Sequence, residues 1–193
     1  MSAEPCTPGP SDTERLQFCN AFTDGGQYSQ SYCCSNMFNA DRSCYCSHKR
    51  GGINVVAEHV GGDSFTLSHI EIRAPTEGFT SPLQQGMVFV SWEMPDLEAT
   101  KRFDSWTLED YEQYARSQAT LSQRASQTDP VLFFNLQDSH RLMLELPVAR
   151  SGRYVHIKLL RPQSWGENID VQYIGLHGWS GQRSFPYAFP EMR

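Results

Sequence analysis

Apolar and polar residues alternate along the segment Phe65–Arg73, and this pattern constrains the fold more than any other feature of the chain. Successive side chains of a β-strand point to opposite faces, so alternation predicts a strand with one face against a core. The expected core-facing residues are Phe65, Leu67, Ile70 and Ile72. Because the alternation slips at Ser68–His69, we also expect a β-bulge there.

Short apolar or β-branched runs, separated by turn residues, continue along most of the chain. Gly61–Gly62 separates the first two runs and Pro95 follows the third, as expected where strands end. Strands are predicted over residues 53–60, 65–73, 86–92, 131–136, 142–146, 154–160 and 169–176. Many strands at short spacing indicate an all-β, antiparallel jelly-roll β-sandwich rather than alternating strands and helices.

Helical spacing replaces strand alternation between Ser105 and Gln127. Thr107 and Asp110 have the spacing of a capping box, which satisfies backbone N–H groups at a helix start. The residues that can form one helical stripe are Leu108, Tyr111, Ala115 and Leu121. We therefore expect a helical insertion near residues 105–127, between two strands of the sandwich.

The domain boundaries follow from composition. A chain of 193 residues suits one hydrophobic core. The first residues are mostly Pro, Ser, Thr, Gly and acidic, and they bury too little apolar surface to offset the entropy of ordering. We predict a flexible tail over residues 1–17, one sandwich over 18–180 and a C-terminal tail over 181–193.

The charge and hydropathy of the chain exclude some partners. Its net charge is -6, so we expect no attraction to nucleic acid. No apolar run approaches the roughly 20 residues that cross a bilayer, and residues 1–10 lack the apolar centre of a secretory leader. We therefore expect no membrane span and a cytoplasmic or nuclear location.

All the cysteines lie in the first quarter of the chain: Cys6, Cys19, Cys33, Cys34, Cys44 and Cys46. Without a leader we expect reduced thiols, whereas in an exported chain disulfides would staple this segment. Together with His48, four of them could bind zinc, but the C-x2-C spacing typical of zinc sites is missing. Small buried side chains are the favoured interpretation.

Two parts of the sequence resemble galactose-binding-like jelly rolls. The early part comprises residues 39–47, 54–56 and 65–73; the late part, residues 152–160 and 168–178, is similar to the last two strands of discoidin and DOC domains. The resemblance implies a galactose-binding-like sandwich. It also implies either an adaptor of the DOC kind, found in ubiquitin ligases, or a discoidin-like module that binds glycans, lipid headgroups or proteins.

The resemblance also implies a candidate calcium site, because the matching loop binds calcium in some of these modules. Asp24 and Asp41 could supply the oxygen ligands, although an Asx turn explains Asp41 equally well. No nucleophile elbow, dinucleotide-binding glycine motif or P-loop occurs in the sequence. We therefore predict a non-enzymatic module and no cofactor.

Aromatic and charged residues in two loops are the candidate ligand contacts, because such residues are frequent at recognition hot spots. They are Tyr28, Tyr32, Asp41, Arg42 and Tyr45 in the early loop, and Arg161, Trp165, Glu167 and Asn168 before the last strand. If both loops lie at one end of the sandwich, these residues form one concave patch. Alternatively, Tyr45 and Trp165 plug the end of the core.

The first prediction of function is an adaptor that recognises a protein or peptide through these loops, linked by the resemblance to substrate recruitment by ubiquitin ligases. The alternative is a carbohydrate-binding module or lectin, in which the aromatic rings stack on sugars. An enzyme with an unrecognised set of catalytic residues is the third hypothesis. It requires a deep polar pocket with titratable groups of shifted pKa.

Overall fold

A computed structural model of the chain describes residues 13–121, 126–137 and 139–181. Its strands are β1 (Glu14–Arg15), β2 (Phe18–Thr23), β3 (Tyr45–Cys46), β4 (Ile53–His59), β5 (Phe65–Arg73), β6 (Leu83–Ser91), β7 (Leu132–Asn135), β8 (Arg141–Gly152), β9 (Tyr154–Pro162), β10 (Asp170–Val171) and β11 (Tyr173–Ser180). The α-helices are α1 (Leu97–Thr100) and α2 (Leu108–Leu121), and short 3-10 turns cover Gln30–Tyr32, Cys34–Phe38 and Lys101–Phe103.

The strands form two packed sheets. One has the order β1-β11-β5-β8 and the other the order β2-β4-β9-β6-β7, while β3 and β10 form a separate short pair. All of these pairings are antiparallel. The predicted antiparallel jelly-roll sandwich with one helical insertion is confirmed.

Strand β5 shows why the alternation fixes the fold. Its four predicted core residues, from Phe65 to Ile72, are fully buried between the sheets. Each such side chain contributes roughly 1.5–3 kcal/mol relative to its exposed state. The predicted bulge at Ser68 is confirmed, because Leu67 and His69 pair in register with β11 and β8 but Ser68 does not.

Strand β8 is longer than predicted. The gap between the predicted strands 142–146 and 154–160 belongs largely to β8, which pairs with β5 at both ends. The pairing jumps from Glu145 to Arg150 across the Ser68 bulge. Pro147 lies inside this jump, where no ladder N–H is required, and the strand therefore tolerates it.

The insertion between β6 and β7 covers the outer face of the five-stranded sheet. Phe103 is buried there against Met87, Phe89, Phe133 and Leu160, with Trp106 and Tyr111 packed beside it. The predicted capping box is confirmed, since Thr107 N–H donates to the Asp110 carboxylate and Asp110 N–H donates to the Thr107 hydroxyl. The predicted stripe is wrong in part: Leu108 and Ala115 are exposed, whereas Tyr111 packs on Phe133 of β7 and Tyr114 packs on Phe103. The side chain of Leu121 lies outside the described residues.

The sandwich begins before the predicted boundary at residue 18. Glu14 and Arg15 pair with β11, and Leu16 is buried in the core. The remainder of the two predicted tails, residues 1–12 and 182–193, lies outside the described residues. In the described part of the chain, no helix has the length and apolarity to cross a membrane.

Three loops meet at one end of the sandwich, called the loop end below. The strand register aligns the start of β4 with the end of β9 and the start of β6, and the start of β11 with the end of β5. The loops that follow β2, β5 and β9 therefore emerge together, over residues 24–52, 74–82 and 163–169. These loops carry almost every candidate residue.

Candidate functional site

One open cleft of about 710 Å³ lies at the loop end. We call it the tyrosine cleft, and its side chains come from all three loops: Tyr28, Tyr32, His48, Phe79, Glu167 and Asn168. Four of these are sequence-predicted candidates. The predicted convergence of the early loop and the loop before the last strand is therefore found in the structure, although their role in binding stays a prediction.

Backbone pairing fixes the floor of the tyrosine cleft. The N–H of Ser47 donates to the carbonyl of Ile169 (3.0 Å), and the N–H of Ile169 donates to the Ser47 hydroxyl (2.8 Å). The buried Asp170 carboxylate accepts the N–H of Ser81 (2.9 Å) and the side-chain amide of Asn168 (2.5 Å). One carboxylate thus ties two loops together and sets the position of Asn168.

Tyr45 lies beneath the cleft rather than in it. Its ring is fully buried and its hydroxyl donates to the carbonyl of Gly26 (2.8 Å). Burial raises the pKa of this hydroxyl. A β-carbon at Gly25 would collide with the tyrosine hydroxyl, so only glycine lets the loop cross here. The prediction of Tyr45 as a ligand contact is wrong, and it plugs the end of the core.

The rim of the tyrosine cleft is aromatic. Tyr28 is 71% exposed, and its ring stands edge to face with His48 at 6.2 Å. Its backbone N–H donates to the carbonyl of Cys46 (2.9 Å), which anchors the loop to β3. Tyr32 makes a similar edge-to-face pair with Phe79 at 6.0 Å. Rings held by such pairs form preordered apolar surfaces.

The polar groups of the cleft complement this rim. Asn168 uses one N–H for Asp170, which leaves an amide oxygen and a second N–H for a ligand. Glu167 contributes an exposed acceptor, and His48 can donate or accept. A small neutral molecule with many hydroxyls and an apolar face suits such a site.

Arg161 and Trp165 line a different groove, of about 830 Å³, called the tryptophan groove below. It also contains Arg50, Asp104 and Ser105. Trp165 is 89% exposed, so it does not plug the core. The single patch predicted from the sequence is therefore two neighbouring clefts. Arg161, near the end of β9, bonds to the insertion, whereas Asn168 bonds to Asp170, which pairs with β3.

Asp41 and Arg42 are exposed and line neither cleft. Asp41 closes an Asx turn by accepting the N–H (2.8 Å) and the hydroxyl (2.5 Å) of Ser43, and these bonds lower the pKa of its carboxyl. This favours the turn over a calcium ligand. Asp24 is also engaged, since it accepts two bonds from Asn54 and pairs with Lys49.

Three of the five described cysteines, Cys34, Cys44 and Cys46, are small buried side chains, whereas Cys33 is half-buried and Cys19 is exposed. Burial raises the pKa of the Cys34 thiol to about 12 and that of Cys44 to about 11, so both are protonated at neutral pH. Among the described residues, no three His, Cys, Asp or Glu side chains are grouped so that they could hold a metal ion.

Sequence reasoning missed several residues that line these clefts, among them His48, Arg50 and Phe79. His48 and Arg50 directly follow the short β3 strand, and Phe79 follows Gly78 in a turn. Their position in loops between predicted strands was the available sequence signal for a place in the site.

Solved structures share the fold of this chain. A family 32 carbohydrate-binding module of Clostridium perfringens NanJ, in complex with galactose, is 6% identical and has a TM-score of 0.53, over 86% of this chain and 94% of that chain. The family 32 module of Streptococcus pneumoniae EndoD is 7% identical with a TM-score of 0.55, over 86% and 98%. A fucolectin from striped bass serum is 10% identical with a TM-score of 0.54, over 86% of this chain and 47% of that one.

No protein-family model and no curated protein matches the sequence. The jelly-roll fold expected from the resemblance is shared with these solved structures, whose low sequence identity shows the fold alone. The predicted adaptor function, linked to ubiquitin ligases, is wrong: these neighbours are described as carbohydrate-binding modules and a lectin, and none of the three as an adaptor.

Proposed function

We propose that this chain is a non-catalytic carbohydrate-binding module that holds a neutral sugar in the tyrosine cleft. The observation that carries the proposal is the pairing of an exposed aromatic rim, led by Tyr28, with the polar groups of Asn168 and His48 in one cleft. The neighbours described as binding modules for carbohydrates support this assignment of class.

The chemistry of a sugar ring matches this arrangement. A galactose-type ring has one face rich in C–H groups, which carry a slight positive charge, and the face of an aromatic ring is slightly negative. Hydroxyl groups both donate and accept, so they suit an amide that offers both. Tyr28 supplies the ring and Asn168 supplies the amide.

Preorganisation adds to the affinity expected of the cleft. Tyr28 is anchored through its backbone to Cys46, and Asn168 is anchored through Asp170. Side chains that are already ordered lose less entropy when a ligand binds. The cleft is open, so a terminal sugar of a longer glycan can enter it.

A glycan array followed by calorimetric titration of the best neutral ligand tests the proposal. Tyr28→Ala should weaken binding about tenfold, because it removes the stacking surface, while Tyr28→Phe should retain most of the affinity. Asn168→Ala should weaken binding by a similar factor.

Met143→Ala is the matched control, since Met143 is an exposed apolar residue on the edge strand β8 and lines neither cleft. Circular dichroism should show every variant to be folded. The proposal fails if no neutral glycan binds, or if Tyr28→Ala and Met143→Ala bind with the same affinity.

A further inference from the structure

The tryptophan groove is chemically different from the tyrosine cleft. It is lined by the exposed aromatic ring of Trp165, the exposed Arg50 and the half-buried Arg161. In the described part of the chain, neither arginine forms an ion pair with a carboxylate. The carboxylate of the groove, Asp104, is already paired with the buried Lys158.

The groove therefore carries positive charge on a protein whose net charge is -6. Arginine charges without carboxylate partners attract anions, because a guanidinium binds carboxylate and sulfate oxygens through paired N–H groups. The bonds from Thr107 lower the pKa of the Asp110 carboxyl, and the positive charge of Arg161 lowers it further. In the described part of the chain, Asp110 and Arg161 nevertheless form no ion pair.

Both arginines are held in place. One nitrogen of Arg161 donates to the carbonyls of Ser105 (3.1 Å) and Trp106 (2.7 Å), which are fixed by the insertion. Among the described residues its other N–H groups have no hydrogen-bond partner, so they can bind a ligand. Arg50 lies over the ring of Trp165, 5.1 Å from its centre, in a cation–π contact.

The two clefts lie side by side. His48 lines the tyrosine cleft and Arg50, two residues later, lines the tryptophan groove; Glu167 and Trp165 are related in the same way. A ligand longer than one sugar can therefore extend from one cleft into the other. This adjacency, with an aromatic surface in each cleft, favours a saccharide over an acidic peptide.

We infer that the tryptophan groove is a second binding site, for a saccharide unit that carries a carboxylate or sulfate group. Arg50 and Arg161 bind the anionic group and Trp165 stacks on the sugar ring. The inference rests on the proposed carbohydrate-binding function for the class of ligand, but not on the residues of the tyrosine cleft.

Titration with paired probes tests the inference. One pair is tetragalacturonate and its fully methyl-esterified form; the other is a sulfated galactan oligosaccharide and its desulfated form. We expect at least one charged probe to bind about tenfold more tightly than its neutral partner at low salt, and this preference to shrink as salt screens the charges. The pair that shows the preference identifies the anionic group.

The variants separate this site from the first. Arg50→Gln and Trp165→Ala should abolish the preference for charge. Tyr28→Ala should weaken binding of the neutral ligand and leave the preference for the charged probes unchanged. Arg116→Gln on the exposed face of α2 removes one positive charge elsewhere and should change nothing. If Tyr28→Ala does not weaken binding of the neutral ligand, the proposed role of the tyrosine cleft is refuted, but the inference about the tryptophan groove is not.

Three results would overturn the inference. They are equal binding of charged and neutral probes in both pairs, equal effects of Arg50→Gln and Arg116→Gln, and binding of polyglutamate through Arg50 as tight as that of the charged saccharides. The last would identify an acidic peptide as the ligand.

Discussion

Lys158 on β9 and Asp104 in the insertion form an ion pair that joins the five-stranded sheet to the segment bordering the tryptophan groove. The lysine is fully buried and also donates to the side-chain oxygen of Asn54 (3.0 Å), whereas the side chain of Asp104 is 39% exposed. The pair is therefore asymmetric. If Lys158 is removed, water can hydrate the Asp104 carboxylate, but if Asp104 is removed, water cannot easily reach the buried Lys158 ammonium group.

This asymmetry predicts unequal effects of removing each partner. Asp104→Ala leaves a buried ammonium group with only Asn54 as a partner, and we expect it to cost about 2–3 kcal/mol. Lys158→Met keeps the apolar stem and frees Asp104 to water, so it should cost less. Urea unfolding of the two variants measures both. A larger loss for Lys158→Met would contradict this account.

The close approach of Gly166 to Ser81 predicts a compensating pair. A β-carbon at position 166 would overlap the Ser81 side chain, so Gly166→Ala should displace the loop and destabilise the protein by about 1–3 kcal/mol. Ser81→Gly removes the obstacle and should restore much of the loss in the double variant. Thermal melts of both single variants and the double variant form the cycle, and additive losses would rule out the contact as the cause.

The buried histidine of β9 predicts a dependence of stability on pH. Burial lowers the pKa of His156 from its ordinary 6.5 to about 3, with a smaller contribution from Lys158. As pH falls below 6.5, His156 binds a proton in the unfolded chain but stays neutral in the folded protein. The free energy of unfolding therefore decreases between pH 6.5 and pH 3.

This histidine should contribute a slope of about 1.4 kcal/mol per pH unit to the free energy of unfolding over that range. The slope measured by urea unfolding at several pH values should decrease in His156→Gln by about this amount. Other groups contribute to the total slope, so the difference between the two proteins is the quantity to compare. An unchanged slope would show that His156 titrates normally.

Thiol reactivity should follow burial. Cys19 is exposed on β2, whereas Cys34, Cys44 and Cys46 are buried and have raised pKa values. Because the thiolate is the reactive form, a maleimide should modify Cys19 in the folded protein at neutral pH and reach the other three only after unfolding. Mass spectrometry of digested samples measures this, and rapid modification of Cys34 would contradict the structure.

The strands and the core were predictable because their signal is local. Alternation in β5 identified four apolar core residues and even the bulge at Ser68, and the spacing of Thr107 and Asp110 identified the start of α2. The extension of β8 through Pro147 was not predictable, because the proline is tolerated where the ladder between β8 and β5 is interrupted, and that interruption depends on a partner strand far away in the sequence.

The sequence by itself determined that this chain forms an antiparallel sandwich with an insertion, and that two loops carry aromatic and charged candidate residues. The tertiary structure decided that these loops meet at one end. Only the tertiary structure decided which of those residues face a ligand. Tyr45 and Tyr28 belong to the same loop, yet the hydroxyl of Tyr45 bonds to Gly26 below the surface while Tyr28 stands exposed above it. That difference depends on how the loop folds back over β3, and no local pattern records it.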